Sequence, residues 1–120
     1  MTFLKRAGLL LAMLLAVSAS AAQQNPKKGT QLRTVHGQVN DKDGNAAATA
    51  VVYLKSLRTQ NIQSRITDNS GNYHFNGIDP NADYEIHAEK EGLKSATRTV
   101  SSLDTRNDFL VNLKLDRKRE

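Results

Sequence analysis

Cysteine and tryptophan are both absent from this chain, and proline occurs only twice in 120 residues. Without cysteine there is no disulfide to staple a fold, no thiolate nucleophile, and no acceptor for the lipid of a bacterial lipoprotein. Aromatic residues make up only 5% of the sequence, so the exposed ring platforms that sugar-binding surfaces use are scarce. After residue 22 no segment approaches the roughly 20 consecutive apolar residues of a membrane-spanning helix, and none is expected in the mature chain.

What is present begins with MTFLKRAGLLLAMLLAVSASAAQQ. Lys5 and Arg6 precede an apolar run over 7–17, and small residues follow it, the layout of a cleavable signal peptide over 1–22. Cleavage is expected after Ala21 or Ala22, with Gln23 favoured as the first mature residue. Export of a cysteine-free chain points to a secreted or periplasmic bacterial protein. From Gln23 onward 98 residues remain, enough for one small domain whose single core must stabilise it without covalent help.

The formal charge of +5 falls to +3 once Lys5 and Arg6 are removed, leaving 15 basic residues against 12 acidic ones. Lys27, Lys28, Lys114, Arg117, Lys118 and Arg119 hold much of the basic charge near the two ends, and the rest is scattered. With no clustered basic face, no nucleic-acid partner is expected. Residues 23–31 are polar, contain Pro26 and Gly29 and show no apolar period, which predicts a flexible leader. The domain is placed at 32–116, with a charged tail at 117–120.

Within the domain, short runs rich in β-formers alternate with turn residues. They cover 33–39, 49–57, 62–67, 72–76, 84–89, 96–101 and 108–115. Seven runs at this spacing, with no long helical pattern between them, predict an all-β sandwich. Alternation assigns an inward face to most of them. Val35, Gly37 and Val39 share one face of the first run, and Ala50, Val52 and Leu54 one face of the second. Tyr73 and Phe75 are inward on the fourth, Tyr84, Ile86 and Ala88 on the fifth, and Phe109, Val111, Leu113 and Leu115 on the last. Gly37 therefore falls inside the sandwich, where a strand glycine makes room for a close neighbour; an aromatic ring from the facing sheet is expected there, Tyr73, Phe75 or Tyr84. The segments NDKDGN and TDNSGNY have Asp and Gly placed for turns, and GIDPNADY is suited to carry the chain between sheets.

Read in order, the motifs are Val35-x-Gly37-x-Val39-x-Asp41-x-x-Gly44, Ala50-x-Val52-x-Leu54, Thr67-Asp68-x-x-Gly71-x-Tyr73-x-Phe75-x-x-Ile78, Tyr84-x-Ile86-x-Ala88 and Gly92-Leu93. This series, from about Leu32 to Leu115, resembles the carboxypeptidase regulatory-like domain family, related to transthyretin-like and Cna-B-like sandwiches. Two departures stand out: Asn81 follows Pro80 where the family often has Gly, and Thr49 precedes Ala50 where it often has Gly. Asn tolerates left-handed geometry, and Thr49 is expected to cost little at a strand start. The resemblance implies a seven-stranded Greek-key β-sandwich acting as a non-catalytic accessory module, with some similar sandwiches binding glycans. The internal isopeptide crosslink of some Cna-B-like relatives is not expected, because no inward Lys lies on the first run and Asn112 has outward parity.

No catalytic, cofactor or metal site is expected. His36, His74 and His87 all have outward parity. A hairpin between the fourth and fifth runs would set His74 opposite His87, whereas a crossover would put them on opposite outer faces. Asp41, Asp43 and Asn45 lack the calcium-loop spacing and are explained by a hairpin turn, as is the segment DNSGN around Gly71. There is no G-x-S-x-G elbow and no acid in an apolar context. Among the aromatics only Tyr53 has outward parity, and it is the candidate glycan or partner contact. The expected partner is a protein met through a sheet face or edge, with a polysaccharide as the alternative. Lys55, Arg58, Arg65, Lys94 and Arg98 are candidates for guarding sheet edges against unwanted pairing.

Overall fold

The computed structural model describes residues 31–119, so the expected signal peptide and nearly all of the leader lie outside the described residues. The chain forms strands β1 (Arg33–Asn40), β2 (Val51–Ser56), β3 (Ile62–Ile66), β4 (Asn72–Ile78) and β5 (Tyr84–Lys90). They are followed by β6 (Leu93–Lys94), β7 (Arg98–Val100), β8 (Asp108–Leu110), β9 (Leu113–Lys114) and β10 (Arg117–Lys118).

One layer is ordered β4-β1-β8, with β9 continuing alongside β1; the other is ordered β10-β6-β5-β2-β3, with β7 beside β5. β1 runs antiparallel to β4 and parallel to β8 and β9. Every apolar residue expected inside is buried: Val35, Val39, Ala50, Val52, Leu54, Tyr73, Phe75, Tyr84, Ile86, Ala88, Phe109, Val111, Leu113 and Leu115. Ile78 and Val100 join them. The alternation reports burial because each of these strands has one face against the other layer and one face in water.

Several expectations about the pieces change. Among the described residues the strand count rises from seven to ten because two runs are interrupted and the expected tail adds a strand of its own. The expected run over 96–101 begins earlier: β6 and β7 both pair with β5, but Glu89 opposes Lys94 while Ile86 opposes Arg98, a one-residue shift between them. Ser95 seals that irregularity, its backbone N–H donating to the Ala88 carbonyl (2.9 Å) and its hydroxyl accepting from the Ala88 N–H (2.9 Å). Residues 117 and 118, expected to be tail, form β10 against β6.

The two Asp-Gly turns are crossovers, not hairpins, since β1 and β4 lie in one layer and β2 and β3 in the other. Both use one device. Asp41 Oδ1 accepts from the N–H groups of Asp43 (2.9 Å) and Asn45 (3.0 Å), and Asp68 Oδ1 accepts from those of Ser70 and Asn72, each at 2.9 Å. Each carboxylate is therefore occupied by its own backbone. Pro80 and Asn81 also lie in a crossover, where Asn81 N–H donates to Asp79 Oδ1 at 2.8 Å. Asn81 is not among the residues with positive φ, so left-handed tolerance is not what this turn requires.

Thr49 is the opposite case. It lies before β2 rather than in it, at φ 56°, where a β-branched side chain crowds its own backbone. The expectation that Thr49 costs little is therefore wrong, because the backbone there is left-handed and not extended. Replacement by glycine removes the strain at some entropic cost, so Thr49→Gly should stabilise the domain by about 0.5–1 kcal/mol, a rise in Tm of roughly 2–8 °C. Thermal unfolding followed by circular dichroism reads this directly; an unchanged or lower Tm contradicts it.

Gly37 is buried as expected, but a different group takes its space. A Cβ there would lie 1.9 Å from the Val111 carbonyl oxygen, a backbone atom between β8 and β9. The pairing of β1 keeps one register across that break, with His36 opposite Leu110 and Val39 opposite Leu113. In a regular parallel ladder the Gln38 N–H would reach the Val111 carbonyl. Instead that carbonyl is turned inward over Gly37, and the Gln38 N–H donates to Asn112 Oδ1 at 2.9 Å. Tyr73, directly opposite Gly37 on β4, donates its hydroxyl proton to the Val111 carbonyl at 2.6 Å. An aromatic residue does attend the glycine, but from the neighbouring strand of the same sheet.

Candidate interaction surface

The outer face of the six-stranded sheet gathers Tyr53 and the residues around it. β2 pairs with β3 and β5 on its two sides, so Tyr53 stands between Ser64 and His87, Val51 between Ile66 and Glu89, and Lys55 between Ile62 and Glu85. Inward positions of β2 are buried, which fixes these residues on the opposite face. The Tyr53 and His87 rings stack at 5.2 Å with 23° between their planes. His87 Nε2 lies 2.9 Å from Glu89 Oε2, and Glu89 Oε1 is 3.4 Å from Arg119 Nε.

Beside Tyr53 an open groove of about 380 Å³ is lined by Tyr53, Lys55, Ile62, Glu85, His87, Glu89 and Thr97. Its floor is a flat sheet with an aromatic pair, and its rim carries both charge signs. Such a surface can stack against a planar or apolar group and hold polar groups at its edge.

β3 completes this surface and was not singled out by the sequence. All five of its residues are exposed, with Ile62 at 61% and Ile66 at 68%. The motif Ile-x-x-x-Ile has one parity, which ordinarily signals an inward face; pairing with β2 turns that parity outward instead. On the other face of β3, the Arg65 guanidinium lies 5.2 Å from the centroid of the buried Phe75 ring and covers that end of the core. Arg65 is the one member of the expected edge guards found on this edge strand. Lys55 is on an inner strand, and Lys94 lies on β6 between β5 and β10.

The histidines divide between the layers. β4 and β5 belong to different sheets, so His74 and His87 stand on separate outer faces and the hairpin alternative fails. The neighbour of His74 is His36, directly across the β1–β4 pair, and His36 Nε2 is 3.0 Å from Asp108 Oδ1. Among the described residues no three His, Cys, Asp or Glu side chains converge to hold a metal ion.

A second cleft, at the end of the sandwich near Pro80, is bridged by contacts among its own residues, with Arg33 Nε left without a hydrogen-bond partner. Arg33 is buried, donates to the carbonyl oxygens of Ser101 (3.0 Å) and Asp104, and lies over the Phe109 ring. The Arg106 guanidinium hydrogen bonds to Asp104 and holds its carboxyl down at about 2. These groups lock the loop between β7 and β8 to the start of β1.

The described residues thus form a two-layer β-sandwich with a braced end and turn carboxylates bound by their own backbone. Residues 34–116 match the carboxypeptidase regulatory-like domain, and the chain belongs to that family, a non-catalytic β-sandwich domain. No curated protein sequence matches. Among solved structures, catechol 1,2-dioxygenase from Acinetobacter sp. ADP1, inhibited by bound mercury, is similar with a TM-score of 0.53 at 16% identity, over 70% of this chain and 52% of that one. The major pilin subunit of Bacillus cereus is similar with a TM-score of 0.52 at 14% identity, over 73% of this chain and 30% of that one. The chain thus spans about half of the dioxygenase and under a third of the pilin, and at these identities the likeness is one of fold alone.

Proposed function

We propose that this chain is an exported, non-catalytic accessory module of a bacterial envelope that meets a protein partner through the outer face and β3 edge of its six-stranded sheet. The opening signal-peptide pattern supports export. The contact rests on one observation: an edge strand with Ile62 and Ile66 exposed, flanking the Tyr53 groove. Apolar side chains beside unpaired backbone groups on an edge strand favour association with another strand. That the same fold occurs in a pilin subunit is compatible with this role.

A photo-crosslinking residue at position 66, in the periplasmic or secreted fraction, should give a defined protein adduct. The same residue at position 110, exposed on the other sheet, should give none. Adducts from position 110 alone would reject the assignment.

The Tyr53 groove also supports a polysaccharide as the occupant, since a stacked aromatic beside polar rim groups suits a sugar face. On that alternative the protein is retarded in affinity electrophoresis through a polysaccharide gel, and Tyr53→Ala weakens the retention roughly tenfold. Wild-type mobility unchanged across a panel of glycans eliminates it.

A further inference from the structure

The geometry points to a definite occupant for the β3 edge: the β3 strand of a second copy of this chain, paired antiparallel about a two-fold axis through Ser64. This rests on the assignment of β3 as the docking edge and adds the identity of the partner.

The backbone directions on β3 follow from its ends. Thr67 N–H donates to the Ala50 carbonyl (2.9 Å), and the Asn61 carbonyl accepts from Ser56 N–H (2.9 Å), so residues 61 and 67 face β2. Backbone groups alternate along a strand, so Gln63 and Arg65 face β2 as well. Ile62, Ser64 and Ile66 therefore direct their N–H and C=O groups to the open side, where no described strand pairs with them.

The sequence of this edge is symmetric about its centre: Ile62-Gln63-Ser64-Arg65-Ile66. Antiparallel pairing centred on Ser64 sets Ser64 against Ser64 and Ile62 against Ile66 of the other copy. Those are the three residues whose backbone groups β2 does not use, so each opposed pair can exchange two hydrogen bonds once the Arg65 side chain releases the Ser64 carbonyl. A register shifted by one residue would oppose free groups to groups already used by β2. In the centred register the isoleucines of the two copies meet on the outer face, removing from water Ile66, the most exposed apolar side chain of any described strand, together with Ile62. On the inner face Gln63 meets Arg65, so no like charges are opposed. β3 has no proline, and its one charged side chain, Arg65, lies over Phe75 and donates from Nη1 to the Ser64 carbonyl at 2.9 Å, an exposed contact that the incoming Ser64 N–H must replace.

The contact is an isologous one that closes at two copies, because it consumes the edge on both. Two five-residue strands bury less than the roughly 1,200–2,000 Å² of a standard interface, so the dimer is weak, with a dissociation constant on the order of 100 µM.

Sedimentation of the purified chain from about 10 µM to about 1 mM should show the average mass rising from monomer toward dimer. Ser64→Pro should hold it at monomer with the fold intact, because the lost N–H points away from β2. Ile66→Lys, which alters only an exposed side chain, should do the same if proline disturbs the strand. The chain has no cysteine of its own, so Ser64→Cys gives a clean report. Paired Ser64 Cα atoms about 5.5 Å apart allow a disulfide between copies on mild oxidation, which Leu110→Cys should not form to a comparable extent. A wild type that stays monomeric throughout, or a dimer unaffected by Ser64→Pro and Ile66→Lys, overturns self-pairing. If that monomer still yields an adduct with another protein from position 66, only the identity of the partner is overturned. With no adduct from that position, the docking edge itself is rejected.

Discussion

Gly37→Ala should destabilise the domain by about 3 kcal/mol or more, lowering Tm by roughly 12–24 °C or preventing folding altogether. The added Cβ would sit 1.9 Å from the Val111 carbonyl oxygen and 2.6 Å from its carbon. Neither atom is the end of a flexible side chain that can swing aside. Relief requires β8 and β9 to move off β1, which breaks the Val111 N–H bond to His36 and the Leu115 N–H bond to Asn40, each 2.8 Å. Gly37 is not among the glycines with positive φ, so the requirement is for space and not for backbone freedom. A cysteine-free domain of this size has only about 5–15 kcal/mol of total stability to lose. Thermal and urea unfolding of Gly37→Ala provide the measurement, and a Tm within a few degrees of wild type would show that the Val111 carbonyl does not occupy this position.

Tyr73→Phe should cost about 1–3 kcal/mol, a fall in Tm of about 5–20 °C, although it keeps the ring and removes one oxygen. The Tyr73 hydroxyl is the donor that satisfies the inward Val111 carbonyl at 2.6 Å, and that carbonyl has been turned away from the strand ladder. An unpaired carbonyl in this interior incurs its desolvation penalty in full. Burial also pushes the Tyr73 hydroxyl well above its ordinary range, with the Arg98 charge a weaker influence in the other direction.

The pH dependence follows from that direction. In the unfolded chain the tyrosine ionises near pH 10, while in the folded chain it does so at higher pH. Its contribution is therefore complete below pH 10 and is lost as the pH rises from 10 toward the folded-state value. Urea unfolding of wild type should show a steep loss of stability above pH 10, and Tyr73→Phe should show a shallower one. Parallel pH curves for the two proteins would mean that another group governs alkaline unfolding.

Much of the interior was legible from alternation alone. Val52 and Leu54, or Ile86 and Ala88, had to be inward wherever their strands were placed, because a strand with one wet face buries the other. The turn chemistry was equally local, with Asp41 and Asp68 each bonding backbone amides within four residues. The surface was less legible. Ile62 and Ile66 follow the same alternation as a buried pair, and only the register of β3 against β2 turns them to the outer face and leaves them in water. Tyr53 was visible as an outward aromatic, but its stacking on His87 depends on β2 lying next to β5. Thr49 looked like an ordinary strand residue, since nothing in its identity announces a left-handed backbone.

By itself the sequence determined which side chains leave water and where the chain turns, since both depend on interactions within a few residues. Tertiary structure decided which strands became neighbours. That choice placed the Val111 carbonyl over Gly37, set His36 beside His74, and left β3 at an open edge. Each of these joins or separates residues dozens of positions apart, as in the Tyr73 to Val111 bond across 38 residues, and no local pattern specifies such a pairing.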